Sequence, residues 1–273
     1  MKRSTYIIFK LRTAPCREAL TAPELASSPR KPWWGALSAL LIGAALCAAA
    51  PQSVSVGEFS TGRPGAALPA EWKPLEFTKI PRHTTYSLVE DEGRTVVRAR
   101  SEAAASGLVR RLRIDPRQYP ILRWRWRAMN LIRAADVHTK AGDDYPARVY
   151  VTFEYDSSRV GVFERAKFEA IRLVYGEYPP IAAINYLWEG REPRGAIVPN
   201  AYTARARMIV VESGSQRLGE WIDERRDVVA DYRRAFGEEP PAISGVAIMT
   251  DTDDTGESAT AYYGDIGFES RSE

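Results

Sequence analysis

The sequence predicts an all-β domain with inserted helices, built as a β-sandwich or jelly roll. Three features carry that expectation. From Ser53 onward apolar and polar residues mostly alternate with period two. The alternating runs are short and are broken by Pro, Gly or acidic residues. Roughly ten such runs follow one another with turn signals between most of them, the pattern of a sandwich rather than of βα units.

The first runs are Leu75 to Ile80, Thr84 to Val89, Arg94 to Arg100 and Gly107 to Ile114. The clearest is Ile121 to Arg127, ILRWRWR, which puts Leu122, Trp124 and Trp126 on one face and Arg123, Arg125 and Arg127 on the other. Because the tryptophans alternate strictly with charge, they read as core. The next strand, Arg148 to Phe153, has Val149, Val151 and Phe153 on its apolar face and Arg148, Tyr150 and Thr152 on its polar face. Ala182 to Trp188, Arg205 to Glu212, Ile243 to Met249 and Ala259 to Phe268 complete the strands. Helical spacing appears twice. Phe163, Ala166, Ala170, Ile171 and Val174 predict a helix over 163–175, and Trp221, Val228, Val229, Tyr232 and Phe236 predict a second. Gly237 stops that helix and Pro240-Pro241 prevents its resumption.

Ahead of these strands stands a different segment. Arg30 and Lys31 precede WWGALSALLIGAALCAAA, Trp33 to Ala50, which carries no charge and ends in small residues. A basic flank, an apolar stretch and a small-residue end describe a secretory signal. Residues 1–50 are therefore expected to be an N-terminal extension and signal, and 51–273 a single exported sandwich domain. Residues 1–50 hold seven of the 38 basic and two of the 35 acidic residues, leaving 31 and 33. The basic balance of the whole chain thus comes from the leader, and overall charge gives no support for a nucleic-acid partner. The membrane is met only by the leader, during export. Both cysteines, Cys16 and Cys47, lie in the leader, so the mature domain has no thiol chemistry, disulfide or Cys-ligated zinc.

Two loops concentrate candidate ligands. Asp136 to Tyr145 reads DVHTKAGDDY and contains His138, Asp143 and Asp144. It could hold a divalent metal, or be a polar turn whose aspartates cap backbone N–H groups. Thr250 to Gly256 reads TDTDDTG, and its Asp251, Asp253 and Asp254 are candidate ligands for a structural calcium. Position twelve from Asp251 is Tyr262, which excludes an EF-hand. The Arg123, Arg125 and Arg127 face suits an anion, with Arg148 as a candidate neighbour; the alternative is a face paired with carboxylates across strands. No G-x-S-x-G elbow is present, and His83 and His138 are the two histidines of the chain.

Several segments together resemble the bacterial family DUF3047. They are LRWRWR at 122–127, AGDDYPARVYVTF at 141–153, INYLW at 184–188, ARMIVVESG at 206–214, GEWIDERRDVVADYRRAFG at 219–237, GVAIMTDTDDTG at 245–256 and AYYGDIGF at 261–268. The resemblance implies an exported, periplasmic protein of Gram-negative bacteria and transfers no activity. The closing AYYGDIGF is also similar to the last strand of galactose-binding-like jelly rolls, with Asp265 as the matching aspartate. Such modules often bind sugars, an analogy of fold only.

The leading expectation is a periplasmic domain that binds a glycan or other polar ligand through Asp143, Asp144, Arg148, Asn185 and Trp188. A cell-envelope carbohydrate hydrolase using Asp143, Asp144 and Asp251 or Asp253 is the alternative, and a structural partner in an envelope complex is a third. A cleft joining the two acidic loops would favour the enzyme, and a shallow aromatic groove would favour binding.

Overall fold

The computed structural model describes residues 52–77, 79–162, 165–166, 169, 180–203 and 205–271. The expected signal segment and most of the expected helix over 163–175 lie outside the described residues. Those described fall within one compact unit, Ala48–Glu273.

Thirteen strands are described: β1 Ser53–Gly57, β2 Trp72–Leu75, β3 Thr85–Asp91, β4 Arg94–Glu102, β5 Ala105–Ile114, β6 Ile121–Ala128, β7 Ala147–Phe153, β8 Ala182–Glu189, β9 Ile197–Pro199, β10 Ala206–Ser213, β11 Ile222–Asp227, β12 Ile243–Asp251 and β13 Ser258–Glu269. Helix α1, Val228–Phe236, follows β11 directly. One sheet has the order β11-β6-β13-β4-β3, with β1 also pairing β13. The other runs β2-β5-β12-β7-β8-β10-β9. Pairing is antiparallel except between β8 and β10, where the chain leaves through β9 and returns in the same direction. The result is the expected β-sandwich.

Apolar faces of the two sheets meet in one core. Leu122, Trp124 and Trp126 of β6 point into it, as do Val149, Val151 and Phe153 of β7, all at most 2% exposed. Trp126 packs on Trp188 at 6.1 Å between ring centres, and Trp124 on Tyr186 at 5.3 Å. Burying such rings is the largest apolar contribution available to a core without a cross-link.

Two boundaries differ from the sequence expectation. The strand expected over Leu75 to Ile80 is β2, Trp72–Leu75, and lies ahead of it. The second expected helix begins at Val228, because Ile222 to Asp227 pairs with β6 as an edge strand. Ile222, Glu224 and Arg226 share one face there, and the helical spacing of Trp221 with Val228 is incidental. Gly237 ends α1 as expected: it adopts φ 77°, and its N–H bonds Arg233 O at 2.8 Å. Strands β1 and β9 are short and were not anticipated as separate elements.

Candidate functional site

The two acidic loops meet at one end of the outer face of the β2–β9 sheet. The first loop is held by a close approach at Gly142. Its O accepts from Asp136 N at 2.8 Å, and a Cβ at Gly142 would lie 2.5 Å from that nitrogen. Asp143 and Asp144 then enter β7 fully packed. Asp144 is 0% exposed. Its Oδ2 accepts from Thr255 N at 2.7 Å and its Oδ1 from Asp254 N at 3.4 Å, so the first loop anchors the second.

Arg148 is buried on the same face. Its Nε donates to Asp251 Oδ1 at 2.8 Å, and its Nη2 pairs with Asp251 Oδ2. The same Nη2 donates to Asp143 O at 3.1 Å. The guanidinium carbon lies 4.7 Å from the Tyr145 ring centre. Burial pushes the Asp143 carboxyl up in pKa, opposed by the Arg148 charge and by the Asn200 amide. Asp253 and Asp254 are raised as well, by burial first, with the Asp144 charge adding to it. Buried polar atoms collect here: Asp143 Oδ1, the Tyr145 hydroxyl and Asn185 Oδ1 make no well-formed hydrogen bond.

Asp144, Asp251 and Asp253 each place a carboxylate oxygen within 4.8 Å of the others, and this buried trio could hold a metal ion. Three hard oxygen donors suit calcium or magnesium better than zinc. The expected trio was Asp251, Asp253 and Asp254. Asp254 instead turns to Tyr202, whose hydroxyl is 3.1 Å and 3.2 Å from its two carboxylate oxygens, and Asp144 takes its place from the other loop. His138 does not join. Its Nε2 is 3.1 Å from Glu192 Oε1, and its backbone N–H closes a turn on Asp136 Oδ1 at 3.0 Å.

Of the expected ligand-binding residues, Asp143, Asp144, Arg148 and Asn185 are brought to one face. Asn185 lies on β8 across from Tyr150 and donates to Met208 Sδ at 3.4 Å. Trp188 has the opposite parity and no bulge turns it. Its ring is in the core against Trp126, and its Nε1 donates to Gly214 O at 3.1 Å. Asp144, Arg148 and Asn185 are at most 2% exposed, so they support the surface from behind. Asp265 is also structural in its contacts, accepting from Ser60 N at 2.9 Å.

Next to this cluster runs a groove of about 640 Å³ on the same sheet face. Phe77, Tyr150 and Tyr155 give it ring faces, and Arg111, Thr152 and Glu154 give it polar groups. Tyr150 joins groove and cluster, since it is cross-strand from Asn185 and its ring centre is 5.7 Å from the Arg148 guanidinium carbon. The parity of β7 already placed Tyr150 on the polar face. Phe77 falls in the run Leu75 to Ile80 that was expected as a strand, but lies past the end of β2, and Tyr155 lies in the connection after β7.

The arginine face belongs to the other sheet, so Arg148 is not its neighbour. It is paired with carboxylates: Arg123 Nε is 2.7 Å from Glu269, Arg125 Nε is 3.8 Å from Asp223, and Arg127 meets Asp91. Arg125 and Arg127 also lie over Trp221, at 4.7 Å and 5.2 Å from its ring centre.

A family model described as "Protein of unknown function (DUF3047)" matches residues 70–267, which spans both sheets and both acidic loops. The chain belongs to the DUF3047 family. Among curated proteins no relative of this DUF3047 member matches. Solved structures that are similar to it include a mutant of the family 29 carbohydrate-binding module CBM29-2, with TM-score 0.33 and 9% identity, covering 81% of this chain and 93% of that chain. Another mutant of that module, complexed with cellulohexaose, has TM-score 0.32 and 9% identity, covering 80% and 91%.

Proposed function

We propose that this protein is an exported binding domain whose groove on the β2–β9 sheet takes a glycan or other polar ligand. The observation that carries this reading is the lining of the groove. Ring faces from Phe77, Tyr150 and Tyr155 stand beside Arg111, Thr152 and Glu154. A sugar presents an apolar ring face rimmed by hydroxyls, and such a lining stacks the one and hydrogen-bonds the other. The hydrolase alternative has less support: the acidic loops meet, but Asp251 is engaged by Arg148 and Asp144 by two backbone N–H groups. The acidic trio is read as a structural calcium site that ties the two loops together behind the groove.

A glycan array followed by calorimetry tests the reading, using wild type and Phe77→Ala. Phe77 is 37% exposed, so its truncation leaves the core intact. Loss of one stacked ring is expected to weaken binding about tenfold. Equal affinity of the variant for the selected glycan would remove the groove as its site.

A further inference from the structure

The outer face of the β11–β3 sheet carries more arginine than its carboxylates satisfy. The β6–β11 register sets Asp223 opposite Arg125 but Arg225 opposite Arg123. Like charges directly across a strand pair destabilise it. Arg94, which opens β4, lines the same hollow as these side chains. The acids nearby are already committed. Glu269 lies 2.7 Å from Arg123 Nε. Asp91 meets Arg127 and accepts from Trp221 Nε1 at 2.6 Å. Asp265 accepts from Ser60 N at 2.9 Å. Asp223 is largely exposed and stays 3.8 Å from Arg125 Nε, too far for a hydrogen bond. That Nε is buried without an acceptor. Among the described residues neither Arg94 nor Arg225 forms an ion pair.

Arg125 is fixed from two sides. A Cβ at Gly264 of β13 would collide with Arg125 Cγ and lie 2.8 Å from its Cδ, so the side chain crosses β13 where that residue is glycine. Its guanidinium carbon lies 4.7 Å from the Trp221 ring centre. A cation held by its stem and by a ring loses little freedom when a ligand arrives. Two adjoining hollows, of about 520 Å³ and about 250 Å³, are both lined by Arg94 and Arg125. Along the larger one, Ser53 and Ser55 of β1 are exposed and share a parity. Arg225 reaches that hollow from β11, three strands away from β4. At about 4.8 Å per strand that separation is roughly 14 Å, so an extended ligand, not a single ion, meets both ends.

We propose that this hollow is a second binding site, for an acidic oligosaccharide whose carboxylates meet Arg94, Arg125 and Arg225 and whose hydroxyls meet Ser53 and Ser55. An arginine fork matches a carboxylate in shape as well as in charge. The exposed acids Glu58, Asp223 and Asp265 also line the hollow. They accept hydrogen bonds from sugar hydroxyls and repel a densely charged chain, which selects a ligand with one carboxylate per ring over a polyphosphate. The site is on the other sheet from the β2–β9 groove and does not rest on the reading of that groove.

Calorimetry on the full chain with a galacturonic acid trimer and with its trimethyl ester tests the assignment. The ester keeps the rings and most hydroxyls but loses the charge, and it should bind at least about tenfold more weakly than the acid. Arg94 and Arg225 are exposed, so Arg94→Gln and Arg225→Gln keep the core intact. Each should weaken binding of the acid about tenfold, while Phe77→Ala, in the other groove, should leave it unchanged. No binding of the acid at millimolar concentration, or equal binding of acid and ester, overturns the proposal. So does a loss in Phe77→Ala with both arginine variants unaffected, which would put the trimer in the β2–β9 groove. Inorganic phosphate is the competing probe: displacement of the trimer by phosphate at a concentration below the trimer's own dissociation constant would assign the arginines to phosphate esters instead.

Discussion

The Arg148 guanidinium is clasped by the Asp251 carboxylate, and both side chains are only 3% exposed. A pair buried that deeply is sensitive to one-sided truncation, which leaves an uncompensated charge behind. Arg148→Met should cost about 3–5 kcal/mol in urea unfolding, whereas Arg148→Met combined with Asp251→Leu should cost less than the single change. Additive losses would show that the two side chains are not coupled.

The acidic trio makes a prediction that separates Asp144, Asp251 and Asp253 from Asp254. Binding to the folded state alone should add about 2.7 kcal/mol when free calcium is a hundredfold above its dissociation constant. Melting is compared in calcium and in chelator. Asp253→Asn should abolish the increment, and Asp254→Asn should keep most of it. An identical melting temperature of wild type in both buffers would dismiss the calcium site.

Gly142 is a test of the loop that presents Asp143 and Asp144. Its missing Cβ faces backbone, not the end of a flexible side chain, at 2.5 Å from Asp136 N. Gly142→Ala should destabilise by about 1–3 kcal/mol and lower calcium affinity with it. A variant as stable as wild type would mean that the loop can shift without consequence.

Asp227 supplies a pH dependence of stability. Its Oδ1 caps α1 at Ala230 N, 2.9 Å away, and its Oδ2 accepts from Arg271 at 2.6 Å. Burial works against its charge, but these donors outweigh it and hold the carboxyl below its usual range. Its contribution is present above the unfolded value, near 3.9, and is lost as pH falls through the folded one. Asp227→Ala should cost about 1 kcal/mol at neutral pH, and the difference from wild type should shrink in acid unfolding curves.

The sandwich was legible because β6 and β7 alternate so strictly that the faces of Trp124, Trp126, Val149 and Val151 follow from parity alone. The meeting of the acidic loops was not. Asp144 and Asp251 are far apart in sequence, and only the β12–β7 register lays their strand ends side by side. Trp188 shows the same rule from the other side: its parity with Ile184 and Tyr186 assigned it to the core, and chemistry suggestive of a ligand site did not alter that. Strand β11 was hidden because it is polar: IDERRD carries one inward apolar residue, Ile222.

The pairing of β13 orders the birth of the fold in time. This strand contacts β6, β4 and β1, and it ends the described chain. A nascent polypeptide that has not yet released Ser258–Glu269 has three strands awaiting a common partner, with the β3–β4 hairpin joined to the rest of its sheet through nothing else. That sheet therefore closes as one piece only when β13 is in place between β6 and β4.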